Sequence, residues 1–183
     1  MKVFYLVRHA HSKWMPDEAR PLSPRGLIDA EAVATVLVDF PIESLYTSPA
    51  RRAYQTITPL AQQLALPVHV IPDLRERVLS SGAVDDFFDA VRTTWLRPAF
   101  AFPGGESNAV AQQRGVVVLQ HLMAQDPARH LLLATHGNLL ALIVQHFIPS
   151  LGFDFWQSLT MPDVYRLCLD DDGSASLVRL WTG

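Results

Sequence analysis

Short apolar runs along this chain break off at polar clusters, and longer stretches with helical spacing separate them. Val3 to Val7 is β-branched and aromatic, ends at Arg8-His9-Ala10-His11-Ser12, and predicts a buried strand that delivers polar groups at its C-terminal end. Residues 13–22, with Pro16, Asp17, Glu18, Arg20 and Pro21, read as loop. Ser23-Pro24-Arg25-Gly26 predicts a helix start, with Ser23 as N-cap and Pro24 at the first helical position. Leu27, Ala30, Ala34, Leu37 and Val38 continue it at helical spacing until Pro41 stops it. Ile42 to Tyr46 predicts a second strand running into Thr47-Ser48-Pro49, and Ala50 to Leu64 a helix that Pro59 kinks or divides.

Pro67 to Ile71 predicts a third strand, followed by Pro72-Asp73-Leu74-Arg75-Glu76. Residues 80–105 are mixed, helical over Asp85 to Trp95 and loop-like around Pro98, Pro103, Gly104 and Gly105. Glu106 to Gln125 predicts a long helix ended by Asp126-Pro127. Leu131 to Ala134 is the most apolar strand; it opens onto Thr135-His136-Gly137-Asn138 and is followed by a buried helix over Leu139 to Phe147. Near the C-terminus, Val164 to Leu169 and Ser176 to Trp181 flank Asp170-Asp171-Asp172-Gly173, a hairpin signal. Strands alternating with helices predict a three-layer α/β/α sandwich with a mostly parallel sheet, the terminal hairpin added at one edge. With no repeat, low-complexity tract or break in composition, residues 1–183 read as one domain.

Composition narrows the function classes. With 49% hydrophobic and 18% charged residues, a packed core is affordable and general disorder is excluded. Cys168 is the single cysteine, so no internal disulfide forms. A net charge of −3 argues against a broad electrostatic surface for nucleic acid or anionic membrane. The apolar run after Lys2 is too short for a secretory or spanning segment, and a cytoplasmic protein is the expectation.

In open α/β sheets, ligands bind beyond the carboxyl ends of the strands. Arg8-His9, Ser48 with Arg51 and Arg52, Arg75-Glu76, and His136 all fall at or just past such ends, so parallel strands bring them to one edge. Two histidines, several arginines and a carboxyl group suit phosphoryl transfer. Neutral imidazole is a nucleophile near neutral pH, and a guanidinium matches phosphate oxygens bidentately. A second histidine can stabilise charge on the transferred group, and a protonated carboxyl can donate to the leaving oxygen. This chemistry needs no metal or cofactor.

The motifs themselves carry a resemblance. Leu6-Val7-Arg8-His9-Ala10-His11-Ser12 resembles the signature of the histidine phosphatase superfamily, which includes the cofactor-dependent phosphoglycerate mutases. Leu22-Ser23-Pro24-Arg25-Gly26, Ser48-Pro49-Ala50-Arg51-Arg52-Ala53-Tyr54-Gln55-Thr56, Leu74-Arg75-Glu76, Pro103-Gly104-Gly105-Glu106-Ser107 and Thr135-His136-Gly137-Asn138 follow in the family's order. The resemblance implies a phosphoglycerate mutase-like fold and His9 as the phosphorylated nucleophile. Arg8 and His136 flank the phosphoryl group, Arg52 rather than Arg51 is the second phosphate-binding arginine, and Glu76 is the general acid. Ser12 supports the phosphate, while Glu106 and Ser107 border the substrate.

Two departures separate the chain from a mutase. Ala10 replaces the usual glycine, which demands a backbone without positive φ there, and Met15 stands where mutases carry an asparagine. The chain is also short for a mutase. These features favour a phosphomonoester hydrolase acting on a small phosphorylated metabolite or a phosphoprotein, with phosphoglycerate mutase-type transfer and a non-catalytic phospho-ligand-binding module as alternatives. His9-x-His11 also resembles a metal-dependent hydrolase pair, but no His-x-x-x-His or Cys pair accompanies it, and His11 reads as a pocket-rim residue. Trp14, Phe87, Phe88, Trp95, Phe100 and Phe102 read as core or lid packing, some of them lining the pocket. Nothing in the sequence sets the oligomeric state.

Overall fold

A computed structural model describes residues 1–13, 15 and 19–183. Trp14, Pro16, Asp17 and Glu18, and with them the pocket role considered for Trp14, lie outside the described residues.

Among the described residues, six strands form one sheet: β1 (Lys2–Arg8), β2 (Ser44–Thr47), β3 (Val68–Val70), β4 (His130–Thr135), β5 (Asp163–Leu169) and β6 (Ala175–Arg179), in the order β3-β2-β4-β1-β5-β6. The pairings among β3, β2, β4 and β1 are parallel, whereas β5 runs antiparallel to β1 and β6 antiparallel to β5. The sheet is therefore mixed, with the expected hairpin at one edge.

Alternation along β1 assigns the two faces. Val3, Tyr5 and Val7 pack with Val33, Ala34 and Leu37 of α1 (Pro24–Leu37) and with Ala53, Ile57 and Leu60 of α2 (Arg51–Leu64). Phe4 and Leu6 face the other way, against α3 (Phe87–Leu96), α4 (Asn108–Gln125) and α5 (Gly137–Phe147). Every residue of α5 from Gly137 to Val144 is buried, which is why its sequence shows no polar face. A short α6 (Phe153–Ser158) with no buried residue packs beside that layer; its few residues gave no periodic signal.

Local chemistry fixes the boundaries. Ser23 Oγ accepts from the Gly26 N–H at 3.1 Å, capping α1 as its sequence predicts. Pro59 neither ends nor divides α2, which runs unbroken to Leu64 and stops at Ala65 in the left-handed region, φ 52°. The long helix starts at Asn108 rather than Glu106, because Ser107 takes the N-cap position and accepts from the Val110 N–H. Among the described residues, no helix is long and apolar enough to cross a membrane.

Candidate active site

Register brings the chemistry together. Arg8 of β1 lies opposite Thr135 of β4, and Thr47 of β2 opposite Ala134, so three adjacent parallel strands end side by side. Each carries a polar residue one step past its end: His9, His136 and Ser48. Backbone bonds from the His9 N–H to Thr135 O (3.1 Å) and from the Ser48 N–H to Ala134 O (3.0 Å) continue the ladder into these loops. The Thr135 hydroxyl donates to Leu74 O at 2.7 Å and thereby holds the turn that presents Glu76.

Hydrogen-bond partners fix the tautomers of both histidines. His9 Nδ1 is 2.8 Å from the Ala10 carbonyl, which only accepts, so Nδ1 carries the proton. His9 Nε2, left with its lone pair, accepts from Arg52 Nε at 3.2 Å. The same guanidinium donates through Nη2 to His136 Nδ1 at 3.1 Å, so the His136 proton sits on Nε2 and points to Ser48 Oγ, 2.8 Å away. The two rings meet edge to face at a centroid distance of 5.1 Å. Burial drives the His9 pKa down to about 3, with Arg52, Arg8 and Arg20 adding to the effect against the Ala10 bond. His136, fully buried, is depressed by burial first and then by His9 and the same arginines. Both rings are thus neutral at physiological pH, and His9 presents an unprotonated Nε2 to the pocket.

Arg8 Nη1 donates to the Leu159 carbonyl at 2.9 Å, and its Nε has no partner among the described residues. A Cβ at Gly137 would lie 2.9 Å from the Arg8 guanidinium carbon, so glycine is what lets the arginine lie across the start of α5. Glu76 crowns the same helix: Oε2 accepts from the Asn138 N–H and Oε1 from the Leu139 N–H, both at 3.0 Å, and Oε1 also accepts from the Arg77 N–H at 2.8 Å. Those three N–H groups fix both carboxyl oxygens over the start of α5. Ala10 is buried, is not among the positive-φ residues, and donates its N–H to Thr56 Oγ1 at 3.0 Å, so the sequence's departure from glycine is accommodated.

A cavity of about 570 Å³ is lined by Arg8, His9, Ser12, Arg52, Glu76 and His136, together with His11, Lys13, Arg20, Ser23, Phe87, Gly137 and Met161. It gathers six of the eight site residues expected from sequence, with Arg52 buried and Arg51 exposed. Glu106 and Ser107 are placed elsewhere: they line a separate depression with Arg75 and Val110, and Glu106 forms a bidentate pair with Arg114 at 2.9 and 2.7 Å. The structure thus places these two outside the cavity that holds His9. Gly104, at φ +66°, and Gly105, where a Cβ would lie 2.2 Å from Leu79 O, turn the chain so that Glu106 faces α4. Sequence reasoning missed Lys13 and Arg20. The antiparallel bridge Ser12–Leu22 and the Lys13 N–H bond to Pro21 O, at 3.1 Å, bring them to the cavity. Phe87 lines the cavity, whereas Trp95 is core and donates from Nε1 to Asn138 Oδ1.

Comparison with known proteins adds an independent line. A family model described as histidine phosphatase superfamily (branch 1) matches residues 4–182. The chain is 36% identical over 85 residues to an 8-oxo-(d)GTP phosphatase of Mycolicibacterium smegmatis, covering 44% of this chain and 26% of that protein. It is 26% identical over 164 residues to a 2,3-bisphosphoglycerate-dependent phosphoglycerate mutase of Cytophaga hutchinsonii, covering 80% of this chain and 77% of that one. Among solved structures, a mycobacterial glucosyl-3-phosphoglycerate phosphatase in complex with inorganic phosphate superposes with a TM-score of 0.77 at 25% identity, over 98% of this chain and 95% of the other.

Proposed function

The chain belongs to branch 1 of the histidine phosphatase superfamily, and on that premise we propose that it hydrolyses phosphomonoesters of small metabolites through a phosphohistidine on His9. The observation that carries this reading is the unprotonated Nε2 of His9, fixed by the Nδ1–H bond to Ala10 O and directed into a cavity shared with Arg8, Arg52 and His136.

In the first step His9 Nε2 attacks phosphorus as the bond to the leaving oxygen breaks. Arg52 now bridges the two histidine lone pairs; it exchanges the bond to His9 Nε2 for a phosphoryl oxygen, Arg8 stabilises the charge on the transferred group, and His136, through Nδ1, holds the Arg52 guanidinium towards it. Glu76 in its protonated form donates to the leaving oxygen. In the second step water, giving its proton to Glu76, attacks phosphorus; the N–P bond breaks and inorganic phosphate leaves. Ser12, at the cavity wall, supports the phosphoryl group. A cavity of about 570 Å³ suits a small-molecule leaving group, as in the phosphatases the chain resembles, better than a protein surface.

A metabolite phosphatase screen with purified protein tests this reading. Free phosphate released from at least one small phosphomonoester supports hydrolysis. Isomerisation of a phosphorylated three-carbon acid without net phosphate release points to a mutase, and tight binding without turnover points to a non-catalytic module.

A further inference from the structure

Three adjacent parallel strands each deliver one polar side chain to the phosphoryl centre, and the phosphatase reading employs two of them, His9 and His136. The third, Ser48, is fully buried one step past the end of β2. It does not line the cavity, so it meets no substrate. Its backbone N–H donates to Ala134 O at 3.0 Å, and its Oγ accepts from the Ala50 N–H at 3.3 Å. These bonds set Oγ 2.8 Å from His136 Nε2.

That contact decides which nitrogen of His136 carries the proton. A guanidinium only donates, so Nδ1, 3.1 Å from Arg52 Nη2, keeps its lone pair, and the proton sits on Nε2. A fully buried ring of this tautomer needs an acceptor for Nε2–H, and Ser48 Oγ supplies it. The opposite tautomer would turn an Nδ1–H against the Arg52 N–H, donor facing donor. The contacts run from Ser48 Oγ to His136 Nε2, from His136 Nδ1 to Arg52 Nη2, and from Arg52 Nε to His9 Nε2, at 2.8, 3.1 and 3.2 Å. All four residues are buried, so the chain joins the end of β2 to the attacking atom inside the protein.

We propose that Ser48 is a positioning residue for phosphoryl transfer: by accepting the Nε2–H of His136 it fixes the tautomer and orientation of that ring, and thereby aims the Arg52 guanidinium at the phosphoryl group. This rests on the phosphatase reading of the His9 centre and adds to it a residue that acts only through His136. Low polarity around the contact strengthens it, and the loss of one member leaves the next without its partner.

The test pairs Ser48 with His136. Ser48→Ala removes the acceptor with little change in volume and lowers kcat/KM for an aryl phosphate by about tenfold, the size of one buried hydrogen bond. In a His136→Ala background the same substitution lowers it no further, because the contact it removes is already gone. A serine that merely supports the fold costs the same factor in both backgrounds. Ser48→Cys, a weaker acceptor of similar size, falls between wild type and Ser48→Ala, and carries the same comparison should Ser48→Ala not fold. Nitrogen NMR of histidine-labelled protein reads the tautomer without turnover: the wild type shows the His136 proton on Nε2 and protected from exchange, and Ser48→Ala loses that protection. Vanadate affinity, measured by calorimetry, falls about tenfold in Ser48→Ala and does not respond to that change in His136→Ala. If no phosphomonoester is hydrolysed but the tautomer and the vanadate affinity respond in this way, the phosphatase reading fails and the positioning of Arg52 by Ser48 stands. Equal losses in both backgrounds, unchanged kinetics in a folded Ser48→Ala, or a His136 proton that the substitution leaves protected on Nε2, overturn the proposal.

Discussion

Arg52 Nε lies 3.2 Å from His9 Nε2 and donates to the lone pair that a nucleophile must use. The arginine thus rests on the attacking atom and, through Nη2, on His136 as well. An arriving phosphoryl group competes for the guanidinium and frees His9 where it is needed. Replacing Arg52 by Ala is expected to lower kcat/KM by about a hundredfold or more. Arg52→Lys recovers little, because a single ammonium does not span two rings as a planar fork does. Steady-state kinetics on an aryl phosphate checks this.

Gly137 governs the other arginine. Gly137→Ala places a methyl group 2.9 Å from the Arg8 guanidinium carbon and displaces the side chain. The expected result is a loss of about tenfold or more in kcat/KM, with a melting temperature close to that of the wild type, because alanine suits a helix start at least as well as glycine. Unchanged kinetics in a folded variant would place Arg8 outside the reaction.

Glu76 has two candidate duties, proton donor and cap of α5, and leaving-group dependence separates them. As a donor, its replacement in Glu76→Gln costs alkyl phosphates far more kcat than p-nitrophenyl phosphate, whose leaving group needs no proton; the difference expected is about a hundredfold. As a cap alone, the substitution lowers both substrates alike and reduces thermal stability.

Acid stability follows from the buried histidines. The folded-state pKa of His9 is lowered to about 3, whereas an unfolded chain takes up that proton near the ordinary histidine value of about 6.5. Between those values the unfolded state binds more protons, so stability is complete above about pH 6.5 and falls as the pH drops, by at most about 1.4 kcal/mol per unit for each such histidine. Thermal melts from pH 7.5 to 5 should show this decline, and His9→Asn should make it shallower. Equal slopes would contradict the burial of a neutral His9.

The strand-end clusters made much of the site legible in the sequence. Arg8-His9 and Thr135-His136 each interrupt a near-continuous apolar run, and parallel register then does the rest. The terminal hairpin is legible in Asp172-Gly173, whereas its antiparallel pairing with β1 is not. What escaped was set by contacts rather than by local pattern. Arg20 looks like any loop arginine until the Ser12–Leu22 bridge folds it back. Glu106 looks like a border residue until two glycines turn it onto Arg114. The family resemblance singles out Arg52 over Arg51, and the register of α2 gives the physical reason, since adjacent helical positions point about 100° apart and only Arg52 turns inward.

The decisive measurement is acid-stable versus acid-labile labelling of the enzyme during turnover. Rapid quenching at alkaline pH after mixing with a phosphoryl donor, followed by peptide mass spectrometry, should find an acid-labile phosphoryl group on His9 that turns over at the rate of phosphate release and is absent from His9→Ala. Hydrolysis that persists undiminished in His9→Ala, or a label on another residue, would contradict the phosphohistidine mechanism.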